Sequence, residues 1–374
     1  QMKIEVGYND AASSYDVHCE GNCNNNFSDI RFTAADGTTS CSYWIEEKTD
    51  GDDCTIWVNS SGDSTMYIYY GNSNVGNQSD GDSTFLFFDD FDDGSVDSNK
   101  WTNNGMTESG GVVSGDTTIS DYLFGKVRIN IDTSTTFRIR NHATGSTSAR
   151  PGVLQTNGNP YSIRGFGWQD YSNGNRYTDT RTNSVNQKQH AAYDTNWHIY
   201  EGQWTTGRVD FYLDGALLTS HTSRVPSGSD VLYAQLEGDA DYDYFYVRKF
   251  TSTEPSWDSF GSEEIALPTE PTLNTPENNS HIKNTKPTFN WSSSENAQNY
   301  TLLVDNETDL TDGDEWINYS FDSTTTQNTT PDAKELTEGT WYWKVIANNS
   351  NGQNTSERWK FILQKLEFNF IPEI

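Results

Sequence analysis

Apolar and polar side chains alternate in short runs from the first residues onward. MKIEV, SYDVHC, SDIRFTA, SYWIEE, CTIWVN and TMYIYYGN place apolar residues at every second position, the period of a strand with one buried face. This series ends near Asp82, and none of it carries a convincing helical period. A second series runs to about Phe250 through KVRINID, TTFRIRN, YSIRGFGW, WHIYEGQW, RVDFYLDGALLTSH, VLYAQLE and DYDYFYVRKF. Within it, Asp214-Gly215 predicts a tight hairpin, because both residues tolerate the positive φ of a type I′ turn. Val209, Phe211 and Leu213 then face inward, and Asp210 and Tyr212 outward.

The pattern breaks after residue 254. Pro255, Pro268, Pro271 and Pro276 mark a semi-rigid linker. Beyond it, KPTFNWSSSENAQNYTLLVDNE, GTWYWKVIANNSNGQ and RWKFIL return to strand periodicity, with Trp291 early and Tyr342 late, as in a small β-sandwich. The reading is all-β, with three tandem β-sandwich domains: residues 1–83, 84–254 and 271–363. Residues 255–270 form the linker, and 364–374 an extra strand or tail.

Motifs in each part carry a resemblance. SDIRFTAADGTTSCSYWIEE, IWVN and MYIYYGN leading into FFDDF resemble a domain of unknown function common in archaeal surface proteins. FDDFDDGSVDSNKW, WHIYEGQWTTGRVDFYLDG and DYDYFYVRKFTSTEPS resemble a concanavalin-A-like (laminin G-like) jelly roll. PTFNW, NYTLLVD and LTEGTWYWKVIANNSNG are similar to fibronectin type III-like modules. The resemblance implies a fold and a compartment. Function has to come from the residues, since these folds host many roles.

Composition narrows the partners. The chain has 54 acidic and 24 basic side chains, net −30, which repels nucleic acid and anionic lipid. Only 33% of residues are hydrophobic, yet 13% are aromatic, a payload that disordered chains lack. No apolar run approaches the roughly 20 residues of a membrane span. Cys19, Cys23, Cys41 and Cys54 predict two disulfides, Cys19–Cys23 and Cys41–Cys54; a four-thiolate zinc site is the rival and lacks paired CxxC spacing. Disulfides imply an oxidising, extracellular or cell-surface location. N-glycosylation sequons at Asn26, Asn59, Asn77, Asn278, Asn290, Asn299, Asn306, Asn318, Asn328, Asn348 and Asn354 agree with it. Eight of the eleven lie between 278 and 356, which predicts a glycosylated third domain.

The densest carboxylate run is FFDDFDDGSVDSNKW. An EF-hand loop with Gly94 sixth would put Phe91 at a ligand position and Lys100 at the bidentate Glu position, so that reading fails. If the entering and leaving strands of the jelly roll are neighbours, Asp89, Asp90 or Asp92 meets Asp241 or Asp243, and one structural Ca²⁺ is the cofactor expected. The simpler alternative is an exposed turn at Asp92, Asp93 and Gly94 with Trp101 in the core. EGDADYDYF approaches the E-x-D-x-x-E pattern of retaining glycoside hydrolases, with Glu237, Asp239, Asp241 and Asp243 on one face of a regular strand. Its second Glu position is Tyr242, so no catalytic residue is assigned. The six histidines are scattered, and no nucleophile elbow or phosphate loop occurs.

A binding surface remains. Arg138 and Arg140 share a face of TTFRIRN, and Arg150, Arg164, Trp168, Tyr171, Arg176 and Tyr177 follow. Aromatic faces and planar guanidinium groups suit a glycan groove, acidic sugars included. The expectation is a secreted, non-enzymatic surface protein for adhesion or glycan recognition, its partners glycans or neighbouring surface proteins. The alternative is a filament or sheath subunit that self-assembles by donating the strand at Leu366, Phe368 and Phe370. The third reading is a polysaccharide-acting glycoside hydrolase.

Overall fold

The structure is a computed structural model and describes residues 1–9, 15–60, 62–116, 120–143, 149–155, 164–250, 266–310 and 315–364. Most of the linker and the tail lie outside the described residues, so strand donation has no structural account. The chain divides into two compact units, 1–260 and 261–374.

The first unit holds two β-sandwiches. In the smaller, the sheet Val17–His18, Met2–Gly7, Asp53–Val58, Tyr43–Thr49 faces the sheet Ser40–Cys41, Arg31–Ala34, Met66–Tyr69. The alternate residues Ile4 and Val6, Ile56 and Val58, with Phe27 and Phe32, fill the space between them. All four cysteines are buried free thiols, which corrects the two disulfides expected. Cys19 and Cys23 do meet, through a thiol hydrogen bond that lowers Cys23 and, with burial, raises Cys19. Cys41 sits in the three-stranded sheet, whereas Cys54 sits in the other sheet near Cys23.

The larger sandwich is a jelly roll. Its first sheet runs Thr107–Glu108, Val113–Ser114, Ala240–Lys249, Thr133–Asn141, His198–Thr205, Arg208–Leu213, Ala216–His221, and Phe87–Asp89 also pairs with Ala240–Lys249. The second runs Val185–Ala192, Asn175–Thr182, Arg164–Asp170, Gly152–Leu154, Leu232–Glu237, Tyr122–Ile129, Trp101–Asn104. Phe137, Trp168, Tyr200, Trp204, Phe211 and Phe245 dominate the core between them. The hairpin at Asp214-Gly215 forms with both φ positive, 49° and 75°. Val209 and Phe211 are buried, and Leu213 packs against the same core. Trp101 is in the core, and Asp92, Asp93 and Gly94 form an exposed turn.

An aromatic seam joins the two sandwiches. Trp44 meets Phe85, Phe88, Tyr244 and Tyr246 at centroid distances of 5.0–5.7 Å, all edge-on. Glu46 beside it accepts hydrogen bonds from Trp57 Nε1 (3.0 Å), Tyr244 (3.0 Å) and Tyr246 (3.2 Å). Burial pushes the Glu46 carboxyl up, against the pull of Lys3 and these donors. Tyr244 and Tyr246 point out of the first sheet, so the small sandwich covers that sheet's outer face here.

The second unit is a β-sandwich of its own. Leu273–Thr275, Thr288–Trp291 and Gln327–Thr329 form one sheet. The other is Ser280–Ile282, Trp359–Leu363, Gly339–Asn349, Asn299–Asp305, Ile317–Asp322. Phe289, Trp291, Tyr300, Trp341, Trp343 and Phe361 form its core. Among the described residues, no helix is long and apolar enough to cross a membrane.

Replacing Trp44 with Ala removes the centre of the seam. The expected loss is about 3–5 kcal/mol, as for other buried Trp truncations. The first unit should then melt in two calorimetric steps where the native first unit gives one. A single unshifted transition would show that the seam does not couple the sandwiches.

Candidate functional site

The strand Leu232–Glu237 shows how sequence alternation builds the site. Leu232, Ala234 and Leu236 enter the jelly-roll core, so Tyr233, Gln235 and Glu237 project from the outer face of the second sheet. The same alternation sends Phe166 and Trp168 inward and leaves Gly165, Gly167 and Gln169 outside. In Asn175–Thr182, Thr178 and Thr180 bond His221 on the inner side, at 2.9 and 3.2 Å. Tyr177, Asp179 and Arg181 therefore face out.

Register aligns these residues across the sheet. Gln235 is opposite Gly152, Gly152 opposite Gly167, Gly167 opposite Asp179, and Asp179 opposite Gln187. The two glycines in the middle lack side chains, which leaves a floor between polar walls. A Cβ on Gly152 would come within 2.5 Å of the Phe166 carbonyl oxygen, so the strands approach too closely for any other residue. Arg150 lines the end of this floor and donates its backbone N–H to the Glu237 carbonyl at 2.9 Å.

One wall is tied together. Arg181 donates to both oxygens of Asp179, at 2.7 and 2.9 Å, and Gln169 donates to the same carboxylate. Tyr171 donates to Gln169, and Gln187 donates to Gln169 (3.2 Å) and Tyr171 (3.3 Å). Burial pushes the Asp179 carboxyl up, opposed by Arg181. The other wall is incompletely satisfied. Glu237 is 1% exposed; Gln235 donates to its Oε2, while its Oε1 has no partner. Burial pushes Glu237 up to about 7, against the opposing pull of Arg150, Gln235 and Arg181. Arg150 lies over the Tyr171 ring at 5.6 Å, with its Nε buried and unpartnered. The cavity among these groups is about 10 Å³, room for one water-sized group.

The glycan-binding residues expected from sequence are dispersed. Arg150 lines the depression, and Tyr171 and Tyr177, a T-shaped pair 5.0 Å apart, stand on the same face near it. Trp168 is 1% exposed and packs edge-on against Phe137, so it cannot stack on a sugar. Arg176 is buried against Asp170 and Tyr200. Arg164 pairs with Asp230 at 2.9 Å. Arg138 and Arg140 project from the other sheet, where they pair with Asp243 and Asp241 and flank Trp197.

The expected calcium ligands are also apart. Phe87–Asp89 does lie beside Ala240–Lys249, but Asp89 falls opposite Phe245 and accepts from Trp101 Nε1 at 2.7 Å. Asp90 is half-buried, and burial raises its carboxyl; Asp92 is exposed. Asp241 accepts from Ser114 (2.6 Å), Arg140 and His142 (2.7 Å), and Asp243 accepts from Arg138. Among the described residues, no three His, Cys, Asp or Glu side chains come together as a metal would require. Nor does EGDADYDYF form one regular strand. The chain passes from the second sheet to the first at Gly238 (φ 99°), leaving Glu237 on one outer face and Asp241 on the other.

Asp179, Arg181, Gln169, Gln187 and Gln235 were missed by the sequence reading. The available signal was NRYTDTRT, in which Tyr, Asp and Arg alternate with threonines on a strand that has hardly any apolar residue.

Residues 26–104 match the family described as "Domain of unknown function (DUF2341)". That stretch extends past the small sandwich and takes in Phe85, Phe88 and the jelly-roll strand Phe87–Asp89. No curated protein matches the sequence. Among solved structures, the chain is similar to an endo-acting O-glycanase of the human gut microbiota (14% identity, TM-score 0.39), covering 45% of this chain and 100% of that one. It is similar to an endo-β-1,3-glucanase from Pyrococcus furiosus (11%, TM-score 0.39; 46% and 95% covered). A β-1,3-glucanase from Mycobacterium marinum gives 15% and 0.37, with 44% and 98% covered. These neighbours are enzymes by name, and they overturn the expectation of a non-enzymatic adhesion or recognition protein. Likeness at this level transfers no substrate.

The raised Glu237 carboxyl has a stability consequence. The folded chain holds this proton to about pH 7, whereas an unfolded Glu releases it near 4.3. Its contribution is therefore full below about 4.3 and is lost progressively up to about 7. Glu237→Gln should gain relative to the native chain across that window, by about 3 kcal/mol at pH 8. Urea unfolding at pH 4, 6 and 8 checks this; a constant difference would contradict the burial argument.

Proposed function

We propose that the jelly roll cleaves carbohydrate on the outer face of its second sheet, with Glu237 as proton donor. The observation that carries this is the Glu237 carboxyl: almost fully buried, with one oxygen unpartnered, beside a side-chain-free floor. Below about pH 7 the acid holds its proton, which suits it to protonate a leaving oxygen under neutral conditions. As the glycosidic C–O bond breaks, that proton passes to the departing oxygen, and the Gln235 amide, which donates to Oε2, holds the carboxylate left behind. Water supplies hydroxyl to the sugar, and its remaining proton restores the acid. Asp179 acts as a positioning residue, fixing Arg181 and Gln169 along the opposite wall.

The sequon asparagines support work outside the cell. Asn26, Asn77, Asn278, Asn299, Asn306, Asn318 and Asn354 are all exposed. In this reading the second unit carries most of the attached glycan.

Glu237→Gln should lower kcat for reducing-end release at least about 100-fold with little change in polysaccharide affinity, since a general acid contributes about 10²–10⁴. The native rate should fall as pH rises through about 7. Equal turnover by the variant, on any polysaccharide the native chain cleaves, would refute the assignment.

A further inference from the structure

The depression holds a second group that proton donation does not use. Arg150 is the cation that acts most strongly on the Glu237 carboxyl, and its charge pulls on Asp179 as well. It nevertheless forms no ion pair with either. The jelly roll's other partly buried arginines behave differently: Arg138, Arg140, Arg164, Arg176, Arg181 and Arg248 each hold a carboxylate within 3.2 Å. In a chain of net charge −30, a half-buried guanidinium without a carboxylate partner among the described residues is conspicuous. Its Nε is fully buried without a hydrogen bond, a cost that a ligand oxygen would relieve. The Tyr171 ring beneath it restricts where the planar group points.

We propose that the site selects glycans bearing carboxylate groups, uronate polymers above all, and that Arg150 is the residue that binds the carboxylate. This rests on the glycan-cleaving reading and names its substrate class. A cavity of about 10 Å³ takes one water-sized group, such as a single carboxylate oxygen, rather than a ring. A sugar lying across the glycine floor would thus reach it with a single arm. A carboxylate matches the planar fork of a guanidinium, two parallel N–H···O bonds to two oxygens. Neutral Glu237 leaves the Arg150 charge uncompensated at and below neutral pH, so an arriving anion meets net attraction. The groups facing Glu237 are Arg150 from its loop, Gln235 on its own strand, Arg181 across the floor, and Tyr242, which donates to its carbonyl at 2.8 Å. Arg150 and Arg181 alone among them are cationic, and Arg181 is already paired with Asp179.

The test compares polygalacturonate, a neutral β-1,3-glucan and dextran sulfate by affinity electrophoresis and reducing-end release. It uses the full chain and the variants Arg150→Gln and Arg150→Lys. The expected result is preference for polygalacturonate, weakened at least about 30-fold in Arg150→Gln, partly kept in Arg150→Lys, and weakening above pH 7. Dextran sulfate bound as well as polygalacturonate would overturn the carboxylate assignment. Glu237-dependent cleavage of the neutral glucan, unchanged in Arg150→Gln, would overturn this inference and leave the proton-donor reading standing. No cleavage of any polymer, with polygalacturonate still held through Arg150, would do the reverse. No binding and no cleavage would remove both.

Discussion

The seam around Trp44 decides which part of the jelly roll can act. Edge-to-face contacts with Phe85, Phe88, Tyr244 and Tyr246 press the small sandwich onto the outer face of the first sheet. The three hydrogen bonds to Glu46 add direction to that contact. With one outer face covered there, the second sheet carries the other. The family match across residues 26–104 takes in Trp44, Glu46, Trp57, Phe85 and Phe88 of this seam, whereas Tyr244 and Tyr246 lie beyond it.

Much of the fold was legible in the sequence because strand periodicity is a local signal. The Asp214-Gly215 hairpin followed from turn chemistry, the core position of Trp101 belonged to the simpler reading of the acidic run, and the pairing of Phe87–Asp89 with the last jelly-roll strand came from the jelly-roll resemblance. The site was much less legible. Which side of an alternating strand faces the core depends on partners far away in sequence. Trp168 and Arg176 read as surface residues and are buried, the first by Phe137 and Phe211, the second by Asp170 and Tyr200. Gly238 did further damage to the sequence reading. By moving the chain between sheets it separates carboxylates that a regular strand would align. Glu237 was noticed for a motif it does not belong to, and its importance comes from burial, which no local pattern reports.

The depression is costly to build, and that cost is informative. A buried carboxyl with one unpartnered oxygen, a guanidinium with an unpartnered Nε and an amide oxygen without a donor lie within one small space. Elsewhere the jelly roll also leaves buried atoms without a partner, as at Arg176 Nη2 and Glu108 Oε2, but its pairs Arg176–Asp170 and Arg181–Asp179 each join a buried cation to a buried carboxylate. Unmet polar groups destabilise a fold, and they persist where a site is held ready for chemistry.

The central claim is that Glu237 keeps its proton to near neutrality. Carbon-13 NMR of a chain labelled at the glutamate carboxyls, with the Glu237 resonance assigned from Glu237→Gln, measures this directly. The account predicts a midpoint near 7. A midpoint near 4.5 would mean that the carboxylate is ionised and solvated in the native chain, and the proton-donor site would be lost with it.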